Sequence, residues 1–251
     1  MNRSPQNSRY RGLILNEIPE PAHFLGSRAP ALADEMDALV RRAWGDTATY
    51  RRVIEEVFLH ATRLTVVRKD EVLVGFSAHH ILTVNGQLIL HVAGTVVDPA
   101  VRDMGLMVHL SMRQVIRCLR ENPLGAFGTF RSQNPLVVGA NYRRWGGWPR
   151  PDANLPPPPR YQHIASGVVD RLWPGAEFDA NSLVIRSAFP KELVAEGPVA
   201  DYHEASVNRL CRSRLNVADG DAFLVLCRLS IPRLLLQPWH SIRRRRPLLR
   251  P

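Results

Sequence analysis

Residues Val96 to Leu110 read VVDPAVRDMGLMVHL, and this stretch joins two kinds of periodicity. Upstream, from Leu88 to Val97, apolar residues come at the density of a strand. Asp98-Pro99 then turns the chain. Downstream the spacing predicts a helix over Asp103–Leu119, because Met104, Val108, Met112, Val115 and Leu119 fall three and four apart on one face. Arg102 and Gly105 lie between the two elements. The first N–H groups of a helix have no intrahelical partner, and the positive end of the macrodipole adds to them, so the start of a helix favours phosphate. Gly105 has no Cβ and lets backbone approach a ligand closely. The stretch reads as a phosphate-binding strand–turn–helix.

The same residues resemble a known motif. V-D-P-x-x-R-x-x-G-L is similar to the acyl-CoA-binding motif of the GNAT (N-acetyltransferase) superfamily, (Q/R)-x-x-G-x-(G/A). Here it runs Arg102-Asp103-Met104-Gly105-Leu106-Met107, with Met107 where Gly or Ala is usual. A second stretch, Asn134 to Gly147, is similar to the family's later motif, an Asn followed by Tyr-x-x-x-Gly on the helix after strand five. Asn134 stands one residue further from Tyr142 than is common. The resemblance covers residues 60 to 147 well and the rest by order of elements. It implies an α/β fold of the α+β mixed-sheet kind. The sheet is central and mostly antiparallel, splayed at strands 4 and 5, flanked by helices and followed by a C-terminal extension.

The chain in order fits that expectation. Leu13–Leu15 reads as a short strand, and Leu32 to Trp44 repeats at helical spacing up to Gly45. A second helix is expected from Thr47 to His60, then a strand over Leu64–Arg68. Lys69-Asp70-Glu71 turns into Val72–Val84, and Asn85-Gly86 is a hairpin signal leading into Gln87–Val97. After the central helix, Ala126–Arg131 reads as a strand that can lie parallel to Leu88–Val97, since a helix intervenes. Pro135–Trp145 reads as a helix closed by Gly146-Gly147. The Pro-dense run Trp148–Arg160 reads as an extended surface connection. A helix around Ile164–Leu172, a strand at Ser182–Ala188, a helix at Tyr202–Leu215 and a strand at Ala222–Leu229 complete the order.

Composition bounds the function. The chain has 251 residues, 45% apolar and 22% charged, suiting one domain with a full core over 1–251. No apolar run is long enough for a membrane span, and the first twelve residues lack the apolar core of a secretory signal, so a cytoplasmic protein is expected. Cys118, Cys211 and Cys227 are odd in number and far apart, with no metal spacing, and read as buried or free thiols. The net charge is +10. Most of that excess sits on Arg3, Arg9 and Arg11 near the start and on Arg243–Arg246 and Arg250 at the end. Residues 1–12 and 241–251 are therefore expected to be flexible basic tails on a nearly neutral body. A nucleic-acid partner is disfavoured, because the body lacks clustered basic and aromatic residues.

The resemblance also implies roles. Arg102, Gly105 and the backbone of Asp103, Met104, Leu106 and Met107 would hold a pyrophosphate. Val96 and Val97 would offer backbone groups to the pantetheine arm while their side chains enter the core. Asn134 would bond the arm, or serve as a plain N-cap. Tyr142 would donate a proton to the departing thiolate, or else pack at a helix end with its hydroxyl in water. His91 would take the proton of the acceptor amine, or else be a hydrogen-bonded core residue. His79 and His80 are adjacent on a strand, so at most one faces the site. The expected activity is transfer of an acetyl or other acyl group from acetyl-CoA or another acyl-CoA to an amine, by direct attack and with no metal. The expected acceptor is a small amine in preference to a protein amine. A homodimer is one compatible assembly. The alternative is a catalytically inactive relative that binds CoA or a partner.

Overall fold

The computed structural model describes residues 6–45, 49–152, 155–190 and 200–235. The strands are β1 (Gln6–Tyr10), β2 (Leu13–Pro19), β3 (Arg63–Lys69), β4 (Val72–Val84), β5 (Gln87–Val97), β6 (Ala126–Ser132), β7 (Phe178–Asp179), β8 (Val184–Ile185) and β9 (Ala222–Leu229). The helices are α1 (Pro21–Leu25), α2 (Ala29–Trp44), α3 (Thr49–Val53), α4 (Leu106–Glu121), α5 (Pro135–Trp145), α6 (Pro159–Leu172), α7 (Ala205–Arg214) and α8 (Ile231–Leu235). All nine strands lie in one sheet, ordered β1-β2-β3-β4-β5-β6-β9-β8-β7. Every pairing is antiparallel except β5–β6, so the fold is the mixed α/β sheet that the sequence led us to expect.

Turn chemistry sets the first half of that order. Arg11-Gly12, Asp70-Glu71 and Asn85-Gly86 all have positive φ, the backbone state that matches the right-handed twist of a tight hairpin. They join β1 to β2, β3 to β4 and β4 to β5. Between β5 and β6 the chain spends α4, long enough for a crossover, and the strands come out parallel.

The central strands are covered on both faces. On one face α2 and the wide helical turn Ile54–Phe58 pack over Leu64, Val66, Phe76, Ala78 and Val96, and α6 packs over Ile89, Phe127, Leu224 and Leu226. On the other, α4 covers Leu15, Val67, Val97 and Leu90, while α5 and α7 cover Val184, Phe223 and Val225. Val96 and Val97 thus enter opposite cores, as period-two alternation requires. Double-sided burial also explains why these strands read as nearly continuous apolar runs. Phe76, Phe127 and Phe223 are fully buried, and truncating any of them to Ala costs about 3–5 kcal/mol.

Three expectations need correction. Residues 6–10 are no tail: β1 pairs along its length with β2, from Gln6↔Glu17 to Tyr10↔Leu13. Its exposed, polar residues give an edge strand the composition of a tail. The 241–251 segment lies outside the described residues. The central helix does not begin at Asp103; a 3₁₀ turn, Pro99–Met104, precedes Gly105, and α4 starts at Leu106. The expected strand Ser182–Ala188 shrinks to Val184–Ile185, because Leu183 and Ser187 take positive φ on either side.

One irregularity positions the site. β4 and β5 pair in register from Val84↔Gln87 to His79↔Val92, then resume at Ala78↔Gly94. Ala93 is the extra residue, a bulge that bends β5 and adds twist. The parallel pairing of β5 with β6 covers only Ile89↔Phe127 to Val92↔Phe130. β5 and β6 part where the bulge begins.

Candidate functional site

At the end of β5, Asp98 caps the 3₁₀ turn, accepting from Ala100 N–H at 3.0 Å, and its own N–H donates to Val74 O at 2.9 Å. Gly105 then takes φ 73°, ψ 20°, a left-handed state that explains the residue. No side chain caps α4, and the first N–H to find a carbonyl within the helix is that of His109, on Gly105 O at 3.1 Å. The N–H groups of Leu106, Met107 and Val108 precede it, at the positive end of a sixteen-residue helix. Met107 is 53% exposed, so its side chain is clear of the core beneath this turn.

Cations surround the turn. The Tyr10 hydroxyl donates to Met104 O at 2.9 Å, and Arg11 Nη1 donates to the same oxygen at 3.0 Å. The Tyr10 ring stacks on His109 with centroids 3.9 Å apart. Arg102 Nη2 donates to Ala43 O at 2.9 Å, tying the turn to the end of α2, and Arg42 pairs with Asp98 at 3.1 Å. Of these, Arg11 reaches the carbonyl next to Gly105, while Arg102 and Arg42 bind the 3₁₀ turn to α2.

Beyond Val92, β5 keeps β4 on one side and, among the described residues, has no strand partner on the other. Backbone groups of Ala93–Val97 aimed toward β6 are left without a ladder partner, which a buried strand rarely tolerates unless something else bonds them. Ala93, Gly94 and Thr95 are half-buried there. A Cβ on Gly94 would stand 2.6 Å from the Phe58 ring, so the glycine is what lets Phe58 lie against β5.

The two faces at this point differ. On the α4 face a polar row crosses the sheet in register: Glu17, Thr65, Ser77 and Thr95. Thr95 Oγ1 lies 2.6 Å from Ser77 Oγ, which lies 3.3 Å from His79 Nε2. Gln114 on α4 donates to Glu17 at 3.0 Å, and Arg117 also pairs with Glu17. His79 is fully buried, and its Nδ1 has no hydrogen-bond partner among the described residues. Burial, reinforced by the Arg63 charge, pushes its pKa down to about 3.

On the α6 face His80, His91 and Thr129 lie on adjacent strands in register. His91 is buried, its Nδ1 2.9 Å from Thr129 Oγ1 and its ring edge-on to Trp173 with centroids 5.3 Å apart. Burial, and then the Arg131 charge, holds it well below the usual histidine range, so it is a neutral imidazole at neutral pH. His80 is half-buried and also lowered by burial. His79 and His80 face opposite ways, as adjacent strand residues must.

Tyr142 and Asn134 both lie on α5. Asn134 is its N-cap, accepting from Leu136 N–H at 2.9 Å. Tyr142 is half-buried one turn before Gly146, the left-handed C-cap. Burial raises its pKa first, and a hydrogen bond to the Asp152 carboxylate adds to that, so the phenol keeps its proton. Arg150 lies over the same ring at 5.8 Å and pairs with Asp152 at 2.8 Å. Cys118, Cys211 and Cys227 are buried and free, and burial pushes their thiols up to about 11, 11 and 12. Such thiols do not serve as nucleophiles at neutral pH.

No protein-family model matches the chain, and no curated protein does. Solved structures do. The GNAT family N-acetyltransferase YhbS of Escherichia coli, solved with CoA, is 18% identical, with a TM-score of 0.35 over 57% of this chain and 70% of that one. The ribosomal-protein-S18-alanine N-acetyltransferase of Escherichia coli is 9% identical, with a TM-score of 0.39 over 86% and 95%. The GNAT-like decarboxylase GphF, solved with isobutyryl-CoA, is 17% identical, with a TM-score of 0.39 over 90% and 100%. Two of these three are named as GNAT or GNAT-like proteins.

The residues singled out from sequence therefore fall into two groups. Val96, Val97 and Arg102 to Met107 come together at the end of β5 and the start of α4, and His91 lies a few residues back along the same strand. Tyr142 and Asn134 sit at opposite ends of α5. Sequence reading missed Arg11, because it was assigned to a tail. It also missed Arg131, whose side chain is desolvated on the α6 face beside His91. The available signal was a lone arginine at the end of an apolar strand. Among the described residues no group of three His, Cys, Asp or Glu is placed to hold a metal, and no helix is long and apolar enough to cross a membrane.

Proposed function

We propose that the chain is an N-acyltransferase that moves an acetyl or other acyl group from acyl-CoA to an amine, both bound at once. The observation that carries the reading is the meeting of two unpaired backbone surfaces at one place. The uncapped start of α4 offers N–H groups and a positive dipole, and the β5 edge past Val92 offers strand groups without a partner. Acyl-CoA has the matching parts, a pyrophosphate and an arm containing two amides. The N–H groups of Leu106 to Val108, with Arg102 and Arg11 nearby, suit the pyrophosphate. The open edge of Ala93 to Val97 suits the amides, in the manner of an added strand. The fit needs no metal ligand.

Holding the thioester beside the amine is the main contribution of such a site. The amine nitrogen attacks the thioester carbonyl, the carbon–sulfur bond breaks, and the thiolate needs a proton. Tyr142 is the donor we assign, supported by its protonated phenol on α5. His91 is buried and bonded to Thr129, and the burial that keeps it neutral also makes it a weak base, so it fits the hydrogen-bonded core role and the amine's proton passes to water. The preferred acceptor is a small amine.

Binding is tested by melting temperature. Millimolar CoA should raise it, because a ligand bound by the folded state alone stabilises that state by mass action. Pantetheine, which lacks the pyrophosphate, should do so far less. No shift with CoA would refute the reading. CoA release against a panel of amines then separates an enzyme from a CoA-binding relative without turnover.

A further inference from the structure

On the α6 face, just past the point where β5 leaves β6, stands an arginine that the acyl-transfer chemistry does not account for. Arg131 is two residues beyond Thr129 on β6 and pairs with Leu224 of β9, with no β5 residue opposite it. Its guanidinium is held by rings on two sides, 4.3 Å from the centroid of Trp173 and 4.8 Å from that of Phe189. Nη1 donates to Ala188 O at 2.6 Å. Trp173 in turn meets His91 edge-on, so guanidinium, indole and imidazole form one continuous wall.

Arg131 also lacks an acid. Among the described residues no carboxylate pairs with it, although elsewhere Arg63, Arg68, Arg117 and Arg186 each have one. Its remaining N–H groups are not among the buried donors without partners, and the side chain keeps some exposure, so those donors reach solvent. Desolvation lowers its pKa to about 10, with no compensating anion among the described residues. A cation taken from water without a partner is costly, and a bound anion removes that cost. The flat, ring-held guanidinium is pre-set for a planar two-oxygen partner, which is the geometry of a carboxylate.

We propose that Arg131 binds the carboxylate of the amine acceptor, so that the acceptor belongs to the amino-acid class and enters from the α6 face. This rests on the acyl-transfer reading, in which acyl-CoA occupies the start of α4, a helix on the opposite face of the sheet. Two faces meeting where the strands part would bring amine and thioester together with the carboxylate held on the far side. His80 and His91, both lowered toward the neutral form, line the same face and add no competing charge.

The test uses the full chain and matched pairs of probes: amino acids with small, branched and aromatic side chains, each beside its own carboxamide. Two readouts run in parallel. One is CoA release at saturating acetyl-CoA. The other, which needs no turnover, is the melting temperature of the CoA-bound protein with each N-acetylated amino acid and its amide. At least one acid should be preferred over its amide, by roughly 10- to 100-fold in kcat/KM or by a larger melting shift, as expected for a charged hydrogen-bonded pair. Arg131→Gln should abolish the acid preference, bringing the acid down to the level of its amide, while the CoA-induced melting shift stays that of the parent. Arg131→Lys keeps the charge but not the two-point contact, and should retain only part of the preference. If Arg131→Gln does not fold, the lysine variant alone decides, since a purely structural arginine would leave the acid-to-amide ratio untouched. Equal response to acids and amides in the parent protein overturns the proposal. So does an acid preference that survives in the variants. A missing CoA shift is a different result, and it refutes the acyl-transfer reading instead.

Discussion

Acidification should destabilise this protein through a histidine that cannot accept a proton where it sits. His79 is fully buried between β4 and α4, with Nε2 near Ser77, Nδ1 unpartnered among the described residues, and the Arg63 charge nearby. Its folded pKa is about 3, against an ordinary value of 6.5. The unfolded chain therefore binds a proton that the folded chain refuses. Stability from this residue is complete above about pH 6.5 and is lost as pH falls from there toward 3. At pH 5 the unfolded histidine is almost wholly protonated and the folded one is not, which costs about 2 kcal/mol relative to pH 7.5.

The assay is urea unfolding at a series of pH values for the parent and for His79→Gln, which stays neutral throughout. With a slope of roughly 2–3 kcal/mol per molar urea for a chain this size, the parent midpoint should fall by about 0.7–1 M more than that of the variant between pH 7.5 and 5. His91 is shifted in the same direction by burial and Arg131, so His91→Gln should flatten the curve further. Parallel pH curves for parent and both variants would show that neither imidazole is excluded from protonation, and the buried placement would be wrong.

Two further substitutions probe the site. Gly94→Ala puts a methyl group 2.6 Å from the Phe58 ring and should cost about 1–3 kcal/mol in urea unfolding; a neutral result would mean that Phe58 does not rest on β5. Tyr142→Phe preserves the ring, so fold and CoA affinity should hold while acyl transfer at saturating acyl-CoA slows by about 10²- to 10⁴-fold. A Phe variant as fast as the parent would remove the phenol from the mechanism and leave its bond to Asp152 as a surface contact.

Much of the architecture was legible because it rests on local rules. Asn85-Gly86 announces a hairpin, and positive φ at both residues realises it. The apolar spacing from Val108 to Leu119 announces α4, whose Val115, Cys118 and Leu119 pack inward. The length of α4 implies a crossover, and β5 and β6 come out parallel. The errors arose where local pattern and tertiary context disagree. The residues of β1 are polar because an edge strand has one row of backbone groups and both faces largely in water, and such a composition is indistinguishable from that of a tail. The helix start was misplaced because Met104 fits the helical stripe, yet Gly105 takes a left-handed φ and resets the register one residue later.

The site itself was half legible for a related reason. Arg102 to Met107 is contiguous, so a motif in the sequence is also a place in the fold. Arg131 has no such neighbours in the sequence. It becomes interesting only because β6 runs on after β5 has stopped accompanying it, at the place where β5 carries one extra residue, Ala93, between Val92 and Gly94. Had β5 stayed paired with β6 past Phe130, Arg131 would be a charge buried under a closed sheet. Such a charge would be expelled or paired with an acid. With the strands parted, the same arginine lies between Trp173 and Phe189 at an open edge, and its unspent donors become useful to a ligand. The parting of two strands thus lies beside both halves of the proposed site: a backbone edge past Val92 without a strand partner among the described residues, and on the α6 face a cation without a carboxylate partner among them.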